Sequence, residues 1–132
     1  MSLSTQPRFE TAEAGFNHVM REDPAGVVRE LRNALGPKLV AYIGSVKETR
    51  AVRQWAEGER SPSSESQRRL RLALQVTYLL TRNESEAVTQ SWLQGMNPRL
   101  DDRSPARVLR EGDLEVDGPR VVDAARRFSE HG

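Results

Sequence analysis

The sequence contains no cysteine, two histidines and 5% aromatic residues among its 132 positions. Without cysteine the chain has no disulfide, no thiolate nucleophile and no cysteine-based zinc site. It also lacks a signal-peptide core and any apolar run near the length of about 18 residues that a membrane span needs. We therefore expect a cytoplasmic protein that makes no membrane contact.

Sequence patterns typical of an active site are missing as well. There is no G-x-S-x-G, Walker A or H-E-x-x-H motif, and His18 and His131 both lie near the termini. Asp101 and Asp102 are adjacent carboxylates, which seldom converge on one substrate, and Asp102 suits the start of a following helix, where the dipole favours negative charge. The sequence predicts that the chain is not an enzyme and has no catalytic residue, metal site or cofactor.

Charged residues make up 30% of the chain and are unevenly distributed, although the formal net charge is +1. Residues 46–82 hold eight Lys/Arg and four Asp/Glu, whereas residues 83–132 hold seven Arg and ten Asp/Glu. A basic middle followed by an acidic end suggests two surfaces with different partners. The solvated faces of ordinary charged helices would give the same distribution, so both interpretations stay open.

Apolar residues recur at helical spacing, and we find no convincing β-hairpin pattern, so the predicted fold is all-α. Asp23-Pro24 and Ser104-Pro105 each combine a helix N-cap with proline at the first helical position. Residues 1–22 have too few apolar positions to define a face and are predicted to form a flexible N-terminal arm with one short helix at most.

Two capping boxes, one led by Ser64 and one by Asn83, predict the starts of two further helices, the first at Ser64 or its neighbour. An acidic stretch at 111–118 is predicted to be a linker, after which Pro119 opens the last helix. The helix predicted over 64–82 carries an apolar stripe too wide for one buried face. Its members are Leu70, Leu72, Leu74, Val76, Leu79 and Leu80. Because one small domain would not cover this stripe, we expect a homodimer.

Residues 39–62 predict a short helix, a glycine, a turn and a second helix. That second helix has an apolar residue three positions before an aromatic one, followed by a glycine and a later proline. The residues are Gly44, Val52, Trp55, Gly58 and Pro62. This stretch resembles the helix-turn-helix of Xre/Cro-like DNA-binding domains, although its turn is longer than the family's.

Val52 and Trp55 share the inward face of the second helix, which leaves polar and basic side chains facing outward. The expected DNA contacts are Lys47, Thr49, Arg50, Arg53, Gln54 and Arg60. Arginine, lysine and glutamine suit base edges in the major groove and backbone phosphates. Glu48 and Glu57 weaken the basic face, and a packed helical pair without a DNA role stays open as the alternative.

The C-terminal part carries the pattern W-L-x-x-x-N-P-x-L-x-x-x-S-P-x-x-x-L-x-x-G. Its residues are Trp92, Leu93, Asn97, Pro98, Leu100, Ser104, Pro105, Leu109 and Gly112. A helix-turn-helix followed by this pattern resembles antitoxins of the Xre/MbcA/ParS family. Leu100 is the one apolar side chain between the two turn signals, so we also expect it to plug the loop onto a core.

The resemblance implies a type II toxin–antitoxin module, with a helix-turn-helix DNA-binding region at 23–82 and a small helical toxin-binding domain at 83–132. The implied partners are operator DNA, bound by a homodimer or with the toxin, and a RES-domain toxin that consumes NAD and is inhibited by occlusion of its active site. The expected toxin contacts are Trp92, Asn97, Pro98, Leu100, Val121, Val122, Ala125, Arg126, Arg127 and Phe128. The alternatives are a stand-alone dimeric helix-turn-helix regulator and, more distantly, a structural adaptor.

Overall fold

The computed structural model describes residues 11–131, which form eight α-helices, one short 3-10 turn at Pro98–Leu100 and no strand. The helices are α1 (Ala12–Arg21), α2 (Pro24–Leu35), α3 (Pro37–Ile43), α4 (Thr49–Ala56), α5 (Ser64–Thr81), α6 (Glu86–Gln94), α7 (Pro105–Glu111) and α8 (Leu114–His131). The all-α class is therefore confirmed. In this part of the chain no helix has both the length and the apolar character needed to cross a bilayer.

Two helices begin at the predicted caps. A side-chain oxygen of Asp23 accepts a hydrogen bond from the Gly26 amide at 2.7 Å, ahead of Pro24 in α2. Ser104 Oγ accepts one from the Arg107 amide at 3.1 Å, ahead of α7. Each cap satisfies one of the amides that a helix N-terminus leaves without an intrahelical acceptor.

Two other helices begin beside the predicted caps. Ser63, not Ser64, caps α5 by accepting from the Ser66 amide at 3.1 Å. Ser85, not Asn83, caps α6 by accepting from the Val88 amide at 3.1 Å. Capping residues one or two positions apart give similar local signals, so the backbone path selected between them. The freed Asn83 amide donates to the carbonyl and hydroxyl oxygens of Ser129, which ties the end of α5 to α8.

The predicted acidic linker is wrong, because α8 already begins at Leu114 and Pro119 lies inside it. Asp113 accepts a hydrogen bond from the Glu115 amide at 3.0 Å, which starts the helix. Its acidic first turn is favoured by the helix dipole. A Cβ on Gly118 would lie 3.3 Å from Leu72 Cδ2, so the glycine permits close packing of α8 on α5.

Residues 12–21 form α1, the one short helix that the N-terminal arm was expected to allow, and this helix packs on α5. Val19 is buried, and the Arg71 guanidinium donates to the carbonyl oxygens of Val19 and Glu22, both at 2.7 Å. These two bonds come from α5 and anchor the C-terminal end of α1. The rest of the predicted arm, residues 1–10, lies outside the described residues.

Helix α5 is the centre of the structure and contacts α1, α2, α3, α6, α7 and α8. Its apolar stripe is covered within one chain, since Leu70, Leu74 and Leu80 are at most 1% exposed and Leu72 is half-buried. The stripe therefore does not require a second copy of the chain to cover it, and the homodimer stays a prediction. One core cluster includes residues from both 23–82 and 83–132, so the two predicted regions share a single core.

Candidate functional site

The turn between α3 and α4 is fixed by a close approach of Gly44 to Trp55. A Cβ at Gly44 would lie 2.9 Å from Cζ3 of the Trp55 ring, so a larger residue would displace the indole. Ser66 Oγ on α5 donates to the Gly44 carbonyl oxygen at 2.8 Å. Val52 and Trp55 are buried as predicted. The two helices are thus held in one arrangement from inside the core.

A groove opens beside this turn, between α3, the first turn of α4 and α7. We call it the α3–α4 groove, and its polar and aromatic lining consists of Lys38, Tyr42, Lys47, Glu48, Thr49, Arg50 and Arg110. Four of these residues are cations and one is an acid. None of the four cations has an ion-pair partner among the residues that the structure describes.

The structure divides the six predicted DNA contacts into two groups. Lys47, Thr49 and Arg50 are exposed and line the α3–α4 groove. The remaining three, Arg53, Gln54 and Arg60, lie toward the other end of α4 and contact their own neighbours. Arg53 donates to Glu57 at 2.6 Å and lies 3.6 Å from Glu59, and Arg60 donates to Gln54 Oε1 at 3.1 Å.

Sequence reasoning missed Tyr42 and Arg110 as groove residues. The Tyr42 ring is 37% exposed, although its neighbours Val40, Ala41 and Ile43 are buried. The Arg110 guanidinium donates to the Tyr42 carbonyl oxygen at 2.8 Å, and its central carbon lies 4.7 Å from the ring centroid. Because 68 positions separate the two residues, no local pattern in the sequence joins them.

In the C-terminal pattern, Asn97 and Leu100 shape the loop instead of facing a partner. Asn97 Oδ1 accepts from the Arg99 amide, and its carbonyl oxygen accepts from the Leu100 and Asp102 amides, each at 2.9 Å. Leu100 is fully buried, as predicted for a side chain that plugs the loop onto the core. Leu100 and the Asn97 side-chain oxygen are therefore used in the loop's own structure.

Two more predicted toxin contacts, Val121 and Ala125, are also fully buried and belong to the chain's own core. They lie on the face of α8 that covers α5, so a partner cannot reach them. Of the others, Pro98, Arg126 and Arg127 are exposed, while Arg127 pairs with Asp123 at 3.0 Å.

Trp92 and Phe128 are brought together, with ring centroids 6.1 Å apart and planes inclined by 40°. Both rings are half-buried. Val88 lies one helical turn before Trp92 on α6, and Met96 follows the helix with 82% of its side chain exposed. We call these four residues the α6–α8 apolar surface. The i, i+4 spacing of Val88 and Trp92 on α6 was a signal that could have extended the prediction.

The remaining residues of α8 lie elsewhere. Val122 lines a depression with Val19 and Leu72, and Arg126 lines a cavity of about 200 Å³ that includes Phe16 and Tyr78. The structure therefore places the ten predicted toxin contacts partly in the core and partly on separate parts of the surface.

A polar cluster joins α1, α2 and α5. His18 Nε2 lies 2.9 Å from a Glu30 oxygen and 3.7 Å from a Glu22 oxygen, and the Tyr78 hydroxyl donates to Glu30. Burial raises the pKa of Tyr78 well above its ordinary value, and the hydrogen bond and charge of Glu30 add to this. His18, Glu22 and Glu30 offer ligand atoms within 4.8 Å of one another, and the contacts of His18 with both carboxylates account for this arrangement.

Comparison of the chain with protein-family models, with curated proteins and with solved structures gives no match. The site itself is therefore the basis for inferring a function. Its two parts are the basic α3–α4 groove and the partly exposed α6–α8 apolar surface, which share no residue.

Proposed function

We propose that the chain is the antitoxin of a type II toxin–antitoxin module. It binds operator DNA through the α3–α4 groove and neutralises a RES-domain, NAD-consuming toxin by covering that toxin's active site. The observation that carries the proposal is the groove, where Lys47, Thr49 and Arg50 stand exposed at the start of a helix that the Gly44–Trp55 contact fixes.

The chemistry of the groove supports a nucleic-acid partner. Basic side chains at the N-terminal end of a helix reach base edges and phosphates when that helix enters the major groove. Lys47 and Arg50 have no carboxylate partner within the described chain, so their charge is available to phosphates. Paired cations such as Arg53 must first break an internal contact.

The α6–α8 apolar surface supports a protein partner. Tryptophan, phenylalanine and methionine are enriched at protein interfaces, and a few such anchors supply most of the binding energy. Met96 follows α6, four positions after Trp92 in the sequence, and is 82% exposed. An interface centred there would add acidic rim residues from the C-terminal segment, which suits a toxin with a cationic rim.

A stand-alone dimeric regulator is the second candidate, and the same apolar surface would then be the dimer contact. The two candidates differ in what covers Trp92 and Phe128, which is either a toxin or a second copy of the chain. A regulator of this kind would bind its promoter as a dimer and would give no protection against a toxin.

The partner is tested by co-expression with a RES-domain toxin encoded next to this chain. The wild type should relieve growth arrest and co-purify with the toxin. Met96→Asp should weaken both effects tenfold or more, because it buries a charge at the interface. Val116→Asp is the matched control, since Val116 is also exposed, at 63%, but lies in the first turn of α8. A wild type that neither protects cells nor co-purifies would refute the antitoxin function.

The DNA surface is tested with the promoter fragment upstream of the chain's own reading frame. Arg50→Ala should weaken binding by roughly 1–3 kcal/mol if the guanidinium contacts a base. Arg53→Ala was expected from the sequence to do the same, but Arg53 pairs with Glu57 and should cause a smaller loss. Equal binding by the wild type and Arg50→Ala, free or in complex with toxin, would reduce the helix-turn-helix to a scaffold.

A further inference from the structure

We propose that α7, a helix of the C-terminal segment, is part of the nucleic-acid surface, and that Arg110 binds a backbone phosphate of the duplex. The inference rests on the function proposed above, since it takes the α3–α4 groove as the place where duplex DNA binds. It adds a contact from outside the helix-turn-helix, contributed by a helix that the sequence pattern assigns to the other end of the chain.

The position of Arg110 carries the inference. Because α7 packs on α3, the Arg110 side chain lies in the groove lined by Lys47 and Arg50. One guanidinium nitrogen donates to the Tyr42 carbonyl oxygen at 2.8 Å, while the central carbon lies 4.7 Å from the Tyr42 ring centroid. A guanidinium carries five N–H donors, so this anchoring leaves donors for an oxyanion. Because the side chain is already oriented, less conformational entropy is lost when it binds.

Charge pairing separates Arg110 from the other arginine on the outer face of α7. Arg107 donates to Glu111 at 2.9 Å, so its charge is neutralised within its own helix. Arg110 has no carboxylate partner anywhere in the described chain. Lys38, Lys47 and Arg50 are unpaired in the same way, and Glu48 is the one acid of the groove. Four unpaired cations from three helices and a turn thus face one groove.

A phosphate is the ligand that fits Arg110 best. Its anchor is the C-terminal end of α3, beside the first turn of α4 rather than on it, and contacts flanking a recognition helix go mostly to the DNA backbone. Arginine binds phosphate through several directed N–H donors. The contact would fix the register of α4 on the duplex without reading the sequence itself.

The test uses a duplex of unrelated sequence, because phosphate contacts do not depend on the operator. Binding of the full chain is measured by fluorescence anisotropy as salt rises from about 50 to 200 mM. Each phosphate contact contributes roughly 0.9 to the slope of log K against log salt. Arg110→Ala should lower the slope by about that amount. The ratio of the wild-type binding constant to that of Arg110→Ala should therefore fall about three- to fourfold over this range. Arg107→Ala is the matched control and should keep the wild-type slope.

Two further variants separate a phosphate contact from a structural role. Arg110→Lys keeps the charge and should restore the slope, whereas Arg110→Gln keeps polarity without charge and should behave like Arg110→Ala. An unchanged slope in Arg110→Gln, with wild-type binding intact, would overturn the inference and leave the proposed DNA binding standing. If the wild type binds no duplex even at the lowest salt, the DNA-binding function and this inference both fail.

Discussion

The α3–α4 groove and the C-terminal segment use their charged side chains in different ways. In the groove, Lys47 and Arg50 have no carboxylate partner among the described residues. In the C-terminal segment, Arg120 contacts Asp101 and Asp117, and Arg127 contacts Asp123. The paired charges of the C-terminal segment join the 97–103 loop to α8 or link two residues of one helix. The unpaired cations of the groove remain available to a ligand. Net charge alone does not separate these two situations.

The two regions also differ in how they bury apolar residues. Helix α4 buries Val52 and Trp55 and leaves its opposite face to solvent, so it can present side chains without loss of the core. Helix α8 covers the central helix α5 with Val121 and Ala125. Packing against the core therefore limits which side chains of α8 can contact a partner. The rings of Trp92 and Phe128 remain half-exposed. The predictions below test this difference, beginning with the largest expected effect.

Truncation after Gly118 should abolish cooperative folding of the whole chain. It removes the fully buried Val121 and the half-buried Phe128, both of which pack in or against the core; full burial of such a side chain contributes about 1.5–3 kcal/mol and partial burial contributes less. Two such losses, with the exposed α5 surface, approach the total stability of about 5–15 kcal/mol for a domain. Circular dichroism and thermal melting measure the effect, with truncation after Glu130 as the control. A truncated chain that keeps a sharp melt would show that α8 is a separable docking helix.

Gly44→Ala should lower the free energy of unfolding by about 1–3 kcal/mol, because the added methyl meets the Trp55 ring at 2.9 Å and forces overpacking. Gly95→Ala is the control, since its Cβ would meet only the Ser91 carbonyl oxygen, at 3.3 Å. Chemical denaturation gives both values. Trp55→Phe in the Gly44→Ala background should cost less than in the wild type, and strict additivity of the two changes would refute the proposed clash.

The Tyr78→Phe variant should lose about 1–2 kcal/mol at pH 7 through the missing hydrogen bond to Glu30. The pKa of folded Tyr78 is raised, so its contribution is complete below the unfolded pKa of about 10 and is lost as pH rises further. The difference between wild type and variant should therefore shrink above about pH 10. Denaturation at several pH values measures it, and a pH-independent difference would contradict the linkage.

Tyr42→Phe is the matched control at pH 7, because Tyr42 is 37% exposed and lies in the α3–α4 groove. It should change the free energy of unfolding by less than about 0.5 kcal/mol. These two tyrosines are the only ones in the chain, so the two variants compare a buried tyrosine of the core with an exposed tyrosine of the groove.

Local chemistry made several features predictable from the sequence. The caps at Asp23 and Ser104 act over three residues, so the sequence shows them directly. The spacing of Val52 and Trp55 placed both on one helical face, and Leu100 was recognisable as a plug because its loop offers no other apolar side chain. The sequence left Ser64 or its neighbour open as the start of α5, because both serines satisfy the same local rule, and the structure uses Ser63.

Which surfaces stay open was beyond sequence reasoning, as the wide apolar stripe of α5 illustrates. The stripe required cover, but whether α1, α2 and α8 or a second copy of the chain supplies it depends on how distant segments pack. Val121 and Ala125 illustrate the same limit. Their helical spacing does not distinguish them from exposed apolar residues, because burial depends on which parts of the chain pack over them.

The sequence by itself determined that this chain is helical, where α2 and α7 begin, and that Val52 and Trp55 face inward on α4. Those features depend on hydrogen bonds and side-chain spacing within about one helical turn. The tertiary structure alone decided that Arg110 reaches Tyr42 and that Trp92 meets Phe128. Contacts of this kind join residues far apart in the chain, and they form only because burying the shared core fixes the positions of the helices that carry them.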